Sequence, residues 1–427
     1  MKGLPTENAP SLAVVKPHFI FGALALMALA IMTVLADTNL LGAYFGNKIL
    51  AITHLAVLGW GSMIIFGALY QLVPVVFNTS LFSEKLALIT FWIFAVSIVF
   101  MVYSFWIAAF TTLLIYASIL MFISLLLFII NILLTKKQGK TNIQSKFITM
   151  AVYWLFSAEL LGLLIAFNFR YNFFTEVHLH YLKVHAHLGL IGWFLLLIIG
   201  VSSTLIPMFF VSHRANEKKL IKAFYLINAG LILLAIDWLF IKTGILVYLN
   251  WSLITVGIVF YLSFIAESYK KRLKKDLDVG MKYTVIAILL TVVPLCLSLL
   301  ILINFNFEFS LLMRITTLYG FSIIFGLITT IILGQTYKTL PFIIWLDKYK
   351  NYIGKYKTPL PRELYSEKIG KFQLYFYLIA IAAFTIGLLL NQMIAITICS
   401  YAFLAVAALY NINVFNIIFH KTKTEKL

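Results

Sequence analysis

The side chains of this 427-residue chain with the greatest capacity for chemistry are its eight histidines. A neutral imidazole binds transition metals and exchanges protons near neutral pH. Five of the eight, His54, His178, His180, His185 and His187, gather at two places whose surroundings repeat. His54-Leu55 is followed by Gly59-Trp60, Gly67 and Pro74; His187-Leu188 is followed at the same distances by Gly192-Trp193, Gly200 and Pro207. One offset, 133 residues, relates the two copies. Moving a further 134 residues brings Gly192 onto Gly326, Gly200 onto Gly334 and Ile206-Pro207 onto Leu340-Pro341, with Phe321 standing where the other copies have histidine. The glycines and prolines have a packing explanation, since small residues let helices approach and prolines kink or end them. The histidines do not, because an imidazole in hydrocarbon is costly and ordinarily faces an interior partner.

Helix geometry sorts the five. Residues two apart differ by roughly 200° in direction, so His185 and His187 point to opposite sides of their helix. Residues seven apart are nearly two turns apart, which puts His180 on the face of His187 and His178 on the face of His185. The repeat pairs His54 with His187 at matching depths, and two imidazoles without a carboxylate between them suit a heme iron or a copper ion. The alternative is a hydrogen-bonded core histidine with no metal. His18, His213 and His420 fall at the other span ends, where an interfacial role is expected. Glu159, Asp237 and Arg314 are the ionisable groups inside apolar stretches. Arg314 could hold a heme propionate by charge-assisted bonds, or pair with Asp237 or Glu176. Tyr70 and Tyr337 occupy equivalent places four residues before Pro74 and Pro341, positions suited to hydrogen bonds between helices.

The elements that carry these residues are membrane helices. Hydrophobic residues make up 63% of the chain and charged ones 11%, which excludes a water-soluble core. About twelve continuous apolar stretches reach the roughly 20 residues needed to span a bilayer, centred near 27, 62, 95, 121, 158, 198, 232, 258, 293, 325, 381 and 407. Their continuity excludes an alternating barrel. The sequence therefore reads as an all-α integral membrane protein. Residues 1–427 form one polytopic domain, a pseudo-threefold repeat of four-helix units with spans 2, 6 and 10 equivalent.

The net charge of +18 does not point to nucleic acid. With a cytoplasmic N-terminus, 28 of the 33 Lys and Arg fall on inner segments, and only Lys48, Arg170, Lys183 and Lys242 lie outside. The positive-inside rule thus places both termini in the cytoplasm of a multi-pass cell-membrane protein. Residues 18–36 read as a retained first helix. The longest break, 346–371, is basic and suits a solvated connection near anionic lipid heads. Tryptophans 60, 193, 251 and 345 lie towards span ends, and an interfacial belt accounts for only some of them. Cys296 and Cys399 form no metal or disulfide pattern.

Twelve spans, cytoplasmic termini, a threefold repeat, the histidine of the second span and a His-x-His pair resemble the catalytic subunit I superfamily of heme–copper oxidases and nitric oxide reductases. The resemblance covers nearly the whole chain. It implies a b-type heme with His54 as an axial ligand, copper as a further candidate, and a cytochrome or other respiratory membrane subunit as partner. It also implies a cytochrome-oxidase-like oxidoreductase. The chain departs from that pattern where oxygen chemistry is done. The tenth span has Phe321 and no histidine, the seventh lacks the copper-binding His pair, and the sixth lacks the His-x-x-x-Tyr arrangement. The His-x-His pair lies on the sixth span, not the tenth. No catalytic residue is therefore assigned. Two functions remain: electron transfer or diatomic gas binding at an outer-side heme, or non-catalytic carriage or sensing of copper or heme. The candidate ligands are His54, His187, His185, His180 and His178, with Arg314 beside them.

Overall fold

The computed structural model describes residues 9–212, 215–303, 307–422 and 425–426. His213 lies outside them. Among the described residues, twelve helices are long and apolar enough to cross a membrane. They are α1 Leu12–Ala36, α2 Asn47–Phe77, α3 Glu84–Trp106, α4 Leu113–Gln138, α5 Ile143–Tyr171 and α6 His178–Phe210. α7 Lys218–Ile241, α8 Leu246–Lys270, α9 Val279–Ile303, α10 Phe309–Tyr352, α11 Glu367–Leu390 and α12 Met393–Ile418 follow. A backbone in hydrocarbon must satisfy its own polar groups, and the helix does so within each segment. Polar side chains set several starts: Asn142 and Ser145 form a capping box before α5, and Asp278 accepts from the Met281 amide at the start of α9. The one sheet among the described residues is a two-residue pairing of β1 Tyr356–Lys357 with β2 Glu425–Lys426.

The chain divides into two compact units. One holds residues 71–104 and 108–276, so α3 to α8; the other holds 11–70, 105–107 and 277–427, so α1, most of α2, and α9 to α12.

The repeat read from the sequence is present as repeated packing. Gly67, Gly200 and Gly334 sit at the same step of α2, α6 and α10, and each lies against the helix that precedes it. A Cβ added there would come within 2.7 Å of His18 Cβ in α1, 2.8 Å of Phe147 Cβ in α5 and 2.6 Å of Tyr283 Cβ in α9. One turn-pair towards the helix start, Gly192 faces Trp154 and Gly326 faces Leu290, which keeps the same register. Hydroxyl bridges repeat too: Ser202 of α6 pairs with Tyr261 of α8 at 2.7 Å, and Thr336 of α10 accepts from Tyr410 of α12 at 3.1 Å.

The connections after the proline-bearing helices follow the same scheme. The last residues of α2 are tied to the stretch after α4, through Lys140 N to Phe77 O at 2.7 Å and Asn142 to Val76 O at 3.1 Å. The stretch after α6 is tied to that after α8, by a Ser212–Arg272 bridge with Leu273 N bonded to Val211 O. The β1–β2 pairing does the same for the segments after α10 and α12.

Sequence expectation and structure differ at three points. α10 does not stop before residue 346 but continues past Pro341 to Tyr352. Fixed partners hold the extension: Tyr349 is fully buried with its hydroxyl 2.8 Å from His420 Nε2, and Trp345 Nε1 donates to Pro359 O at 2.6 Å. His18 is not interfacial but fully buried, in the space that Gly67 leaves, with its ring edge-on to Tyr70. Trp60 and Trp193 are core residues and not part of a belt, packed edge-on against Tyr410 and Phe128 respectively.

Candidate functional site

Each of the three repeats breaks its helix at one place. Leu55–Ser62, Leu188–Leu195 and Ser322–Thr329 are π-helical, and these starts are again 133 and 134 residues apart. The residues immediately before them are His54, His187 and Phe321. A π turn carries one extra residue, which widens the helix, offsets its hydrogen-bond ladder and frees carbonyls for other donors. In α10 the Phe325 carbonyl within the π turns accepts from Thr330 Oγ1 at 2.8 Å and from the Tyr377 hydroxyl of α11. No residue pattern other than the repeat itself announced these segments.

The two histidines at π boundaries are held alike. His54 Nδ1 lies 2.7 Å from the Leu50 carbonyl and His187 Nδ1 lies 2.7 Å from the Lys183 carbonyl, four residues back in each case. An Nδ1–H that donates to a carbonyl leaves Nε2 as the basic nitrogen, which is how a metal-ligating imidazole is ordinarily oriented. His54 stacks on Phe105 with centroids 4.4 Å apart. His187 meets Trp238 of α7 edge-on at 5.1 Å.

The faces expected of α6 are the faces observed. His185 and His178 turn to α5: His185 Nδ1 bonds the Ala158 carbonyl at 2.8 Å beside Gly162, and His178 stacks on Phe169 and contacts Asn168 at 3.0 Å. His187, Lys183 and His180 turn to α7 and converge on Trp238. The Lys183 ammonium lies 4.7 Å above the indole ring, and His180 Nε2 bonds the Trp238 carbonyl. That carbonyl lies in a fourth π segment, Asp237–Ile241. Its role as an anchor for α6 was not legible in the sequence.

Arg314 takes neither of the acids considered for it. Glu176 bonds Lys242 at 2.6 Å, and Asp237 Oδ1 accepts from the Thr243 amide and hydroxyl at 3.2 and 2.9 Å. Arg314 Nε is buried without a hydrogen-bond partner among the described residues. A buried donor of that kind calls for an acceptor such as a carboxylate. Tyr337 makes the expected bonds between helices, donating to Gln373 of α11 and accepting from Asn413 of α12 at 3.3 Å.

The donor set fits a heme better than a copper ion held by protein alone. No group of three or more His, Cys, Asp or Glu side chains able to hold a metal occurs among the described residues. A heme iron needs only one or two imidazoles from the protein, and heme propionates suit an orphaned guanidinium. In the third repeat Phe321 stacks on Phe384 at 4.0 Å and on Phe325 at 4.9 Å, so aromatic packing occupies the position of the histidine.

Solved structures decide what this architecture is. The chain is similar to a structure described as a heme-copper terminal oxidase dimer, with a TM-score of 0.65 over 98% of this chain and 86% of that one, at 10% identity. The fold is heme–copper-oxidase-like. No family model and no curated protein matches the sequence.

Proposed function

We propose that the protein is a membrane hemoprotein that binds a b-type heme through the histidines at its π boundaries and serves electron transfer or diatomic gas binding. The observation that carries this reading is the identical seating of His54 and His187, which presents Nε2 as the basic nitrogen in two of three repeats. His54 is assigned as an axial ligand and Arg314, in the same unit, as the propionate anchor; His187 is the candidate ligand of the other unit. When bound, the heme would supply a one-electron couple and an iron able to take a small gas. The chain's own part is to fix the tautomers and seat the rings on Phe105 and Trp238. Copper is a secondary candidate, with His178 and His185 on the α5 side and His180 on the α7 side as separate ligands and not one set.

The test is a visible spectrum and metal analysis of the purified protein. A reduced-minus-oxidised heme band is expected, and His54→Ala or His187→Ala should abolish or sharply reduce it while the protein still elutes as a folded species. Unchanged heme content in both variants would remove the assignment. Copper without heme would favour the second reading, a non-catalytic carrier or sensor, which is supported by Phe321 in α10 and by the lack of histidine in α7.

Both termini are assigned to the cytoplasm of the cell membrane, with the histidine-bearing helix ends outside, because 28 of the 33 basic residues gather on one side. A C-terminal reporter active only outside the cell should be silent. A strong signal would reverse the assignment.

A further inference from the structure

One carboxylate has no place in the site just described. Glu159 lies near the middle of α5, half-buried, with neither a hydrogen-bond nor an ion-pair partner among the described residues. Other acids of the same unit have theirs: Glu176 has Lys242, Asp237 has Thr243, and Glu267 has Lys219 and Lys271. An ionisable group inside a spanning helix is costly, and as a rule such groups mark function. The position of Glu159 adds a second observation. It follows Ala158, whose carbonyl receives His185 Nδ1, and precedes by three residues Gly162, where an added Cβ would lie 2.8 Å from His185 Cε1. The turn that carries Glu159 is the turn on which His185 is seated.

We propose that Glu159 is a proton-exchanging carboxyl within the membrane, loading and releasing a proton at the helix turn that seats His185. Hydrocarbon favours the neutral acid, because burial of an unpaired charge is not offset by any contact there. Loading converts carboxylate and hydronium to carboxylic acid and water, and release reverses this without an electron or any other reactant. Few other ionisable groups surround it. α6 presents His185 and His178 to α5, α4 has none between Tyr116 and Lys136, and α7 meets α5 through Asn228 and Trp154. The proposal stands apart from the heme assignment and is read without a cofactor.

Dicyclohexylcarbodiimide tests it, using the full chain in phosphatidylcholine nanodiscs. The reagent adds to a protonated carboxyl: a bond forms from the acid oxygen to the carbodiimide carbon, and the acid proton passes to a carbodiimide nitrogen. An oxygen-to-nitrogen acyl shift then gives a stable N-acylurea that keeps every atom of both partners. Mass analysis should locate the adduct on Glu159, formed more slowly as pH is raised, and absent with a water-soluble carbodiimide. Glu159→Gln should abolish it and Glu159→Asp should retain it. Absence of an adduct on Glu159 in the folded wild-type protein would overturn the proposal. So would labelling that ignores pH, or equal labelling by the water-soluble reagent, which would place the carboxyl in bulk water.

Discussion

His185 and His187 are two residues apart yet seated on different helices, one on the Ala158 carbonyl of α5 and the other against Trp238 of α7. Side-chain direction along a helix was enough to foresee that division, and with it the companions His178 and His180. What it could not foresee is the acceptor at each place, because a backbone carbonyl carries no residue identity. Charge behaves similarly. Glu176 and Lys242 lie 66 positions apart, and their 2.6 Å bond joins the α5–α6 connection to the start of the α7–α8 connection. The Lys242 ammonium, hydrogen-bonded to Glu176, holds that carboxyl below the ordinary carboxylate range, with smaller help from His180 and Lys183. A depressed folded value means that the contribution is complete above the ordinary carboxylate range and is lost as pH falls through the folded value. Acidification should therefore loosen residues 172–177 and 242–245 in wild type, while Lys242→Gln should show them loosened already at neutral pH. Hydrogen exchange corrected for intrinsic rates would show it. Equal protection of both proteins at every pH would mean that the pair does not hold these connections.

The repeated element is a glycine-bearing helix set against the helix before it. Substituting alanine at Gly67, Gly200 or Gly334 would force a methyl to within 2.6–2.8 Å of a neighbour. Overpacking of this kind costs about 1–3 kcal/mol. An added Cβ at Gly189 or Gly320 meets nothing within 4 Å, so alanine there should be neutral or stabilising by up to about 1 kcal/mol through helix propensity. Thermal unfolding in detergent should thus separate three destabilised variants from two unaffected ones, and a uniform response would refute the register of the repeat. The glycines were legible because their spacing recurs. The π segments were not, since a change of ladder from four to five residues leaves the apolar composition of the stretch unchanged. The length of α10 was misjudged for a related reason. Pro341 signals a break, but burial of Tyr349 and the Trp345–Pro359 bond keep the helix going.

At the scale of the chain, threefold repetition in an oxidase-like fold goes with histidine at only two of the three equivalent positions. The first two repeats keep a histidine at the π boundary, and the third replaces it with a phenylalanine stacked on Phe384 and Phe325. A face-to-face arrangement of phenyl rings at 4.0 and 4.9 Å is well-packed apolar structure, worth about 0.5–1.5 kcal/mol per aromatic pair beyond burial. It is not a vacancy awaiting a metal. Oxygen reduction of the heme–copper kind needs an iron and a copper brought together by several imidazoles, and α7, α9 and α10 contribute none. The purified chain should accordingly consume little or no oxygen with an artificial electron donor, even in preparations whose spectrum shows bound heme. Measuring oxygen uptake and the heme band on the same sample separates the two claims: heme without turnover is expected. Robust turnover would mean that the chain completes a reactive centre by some other donor set, and the reading of Phe321 as a closed position would have to be abandoned.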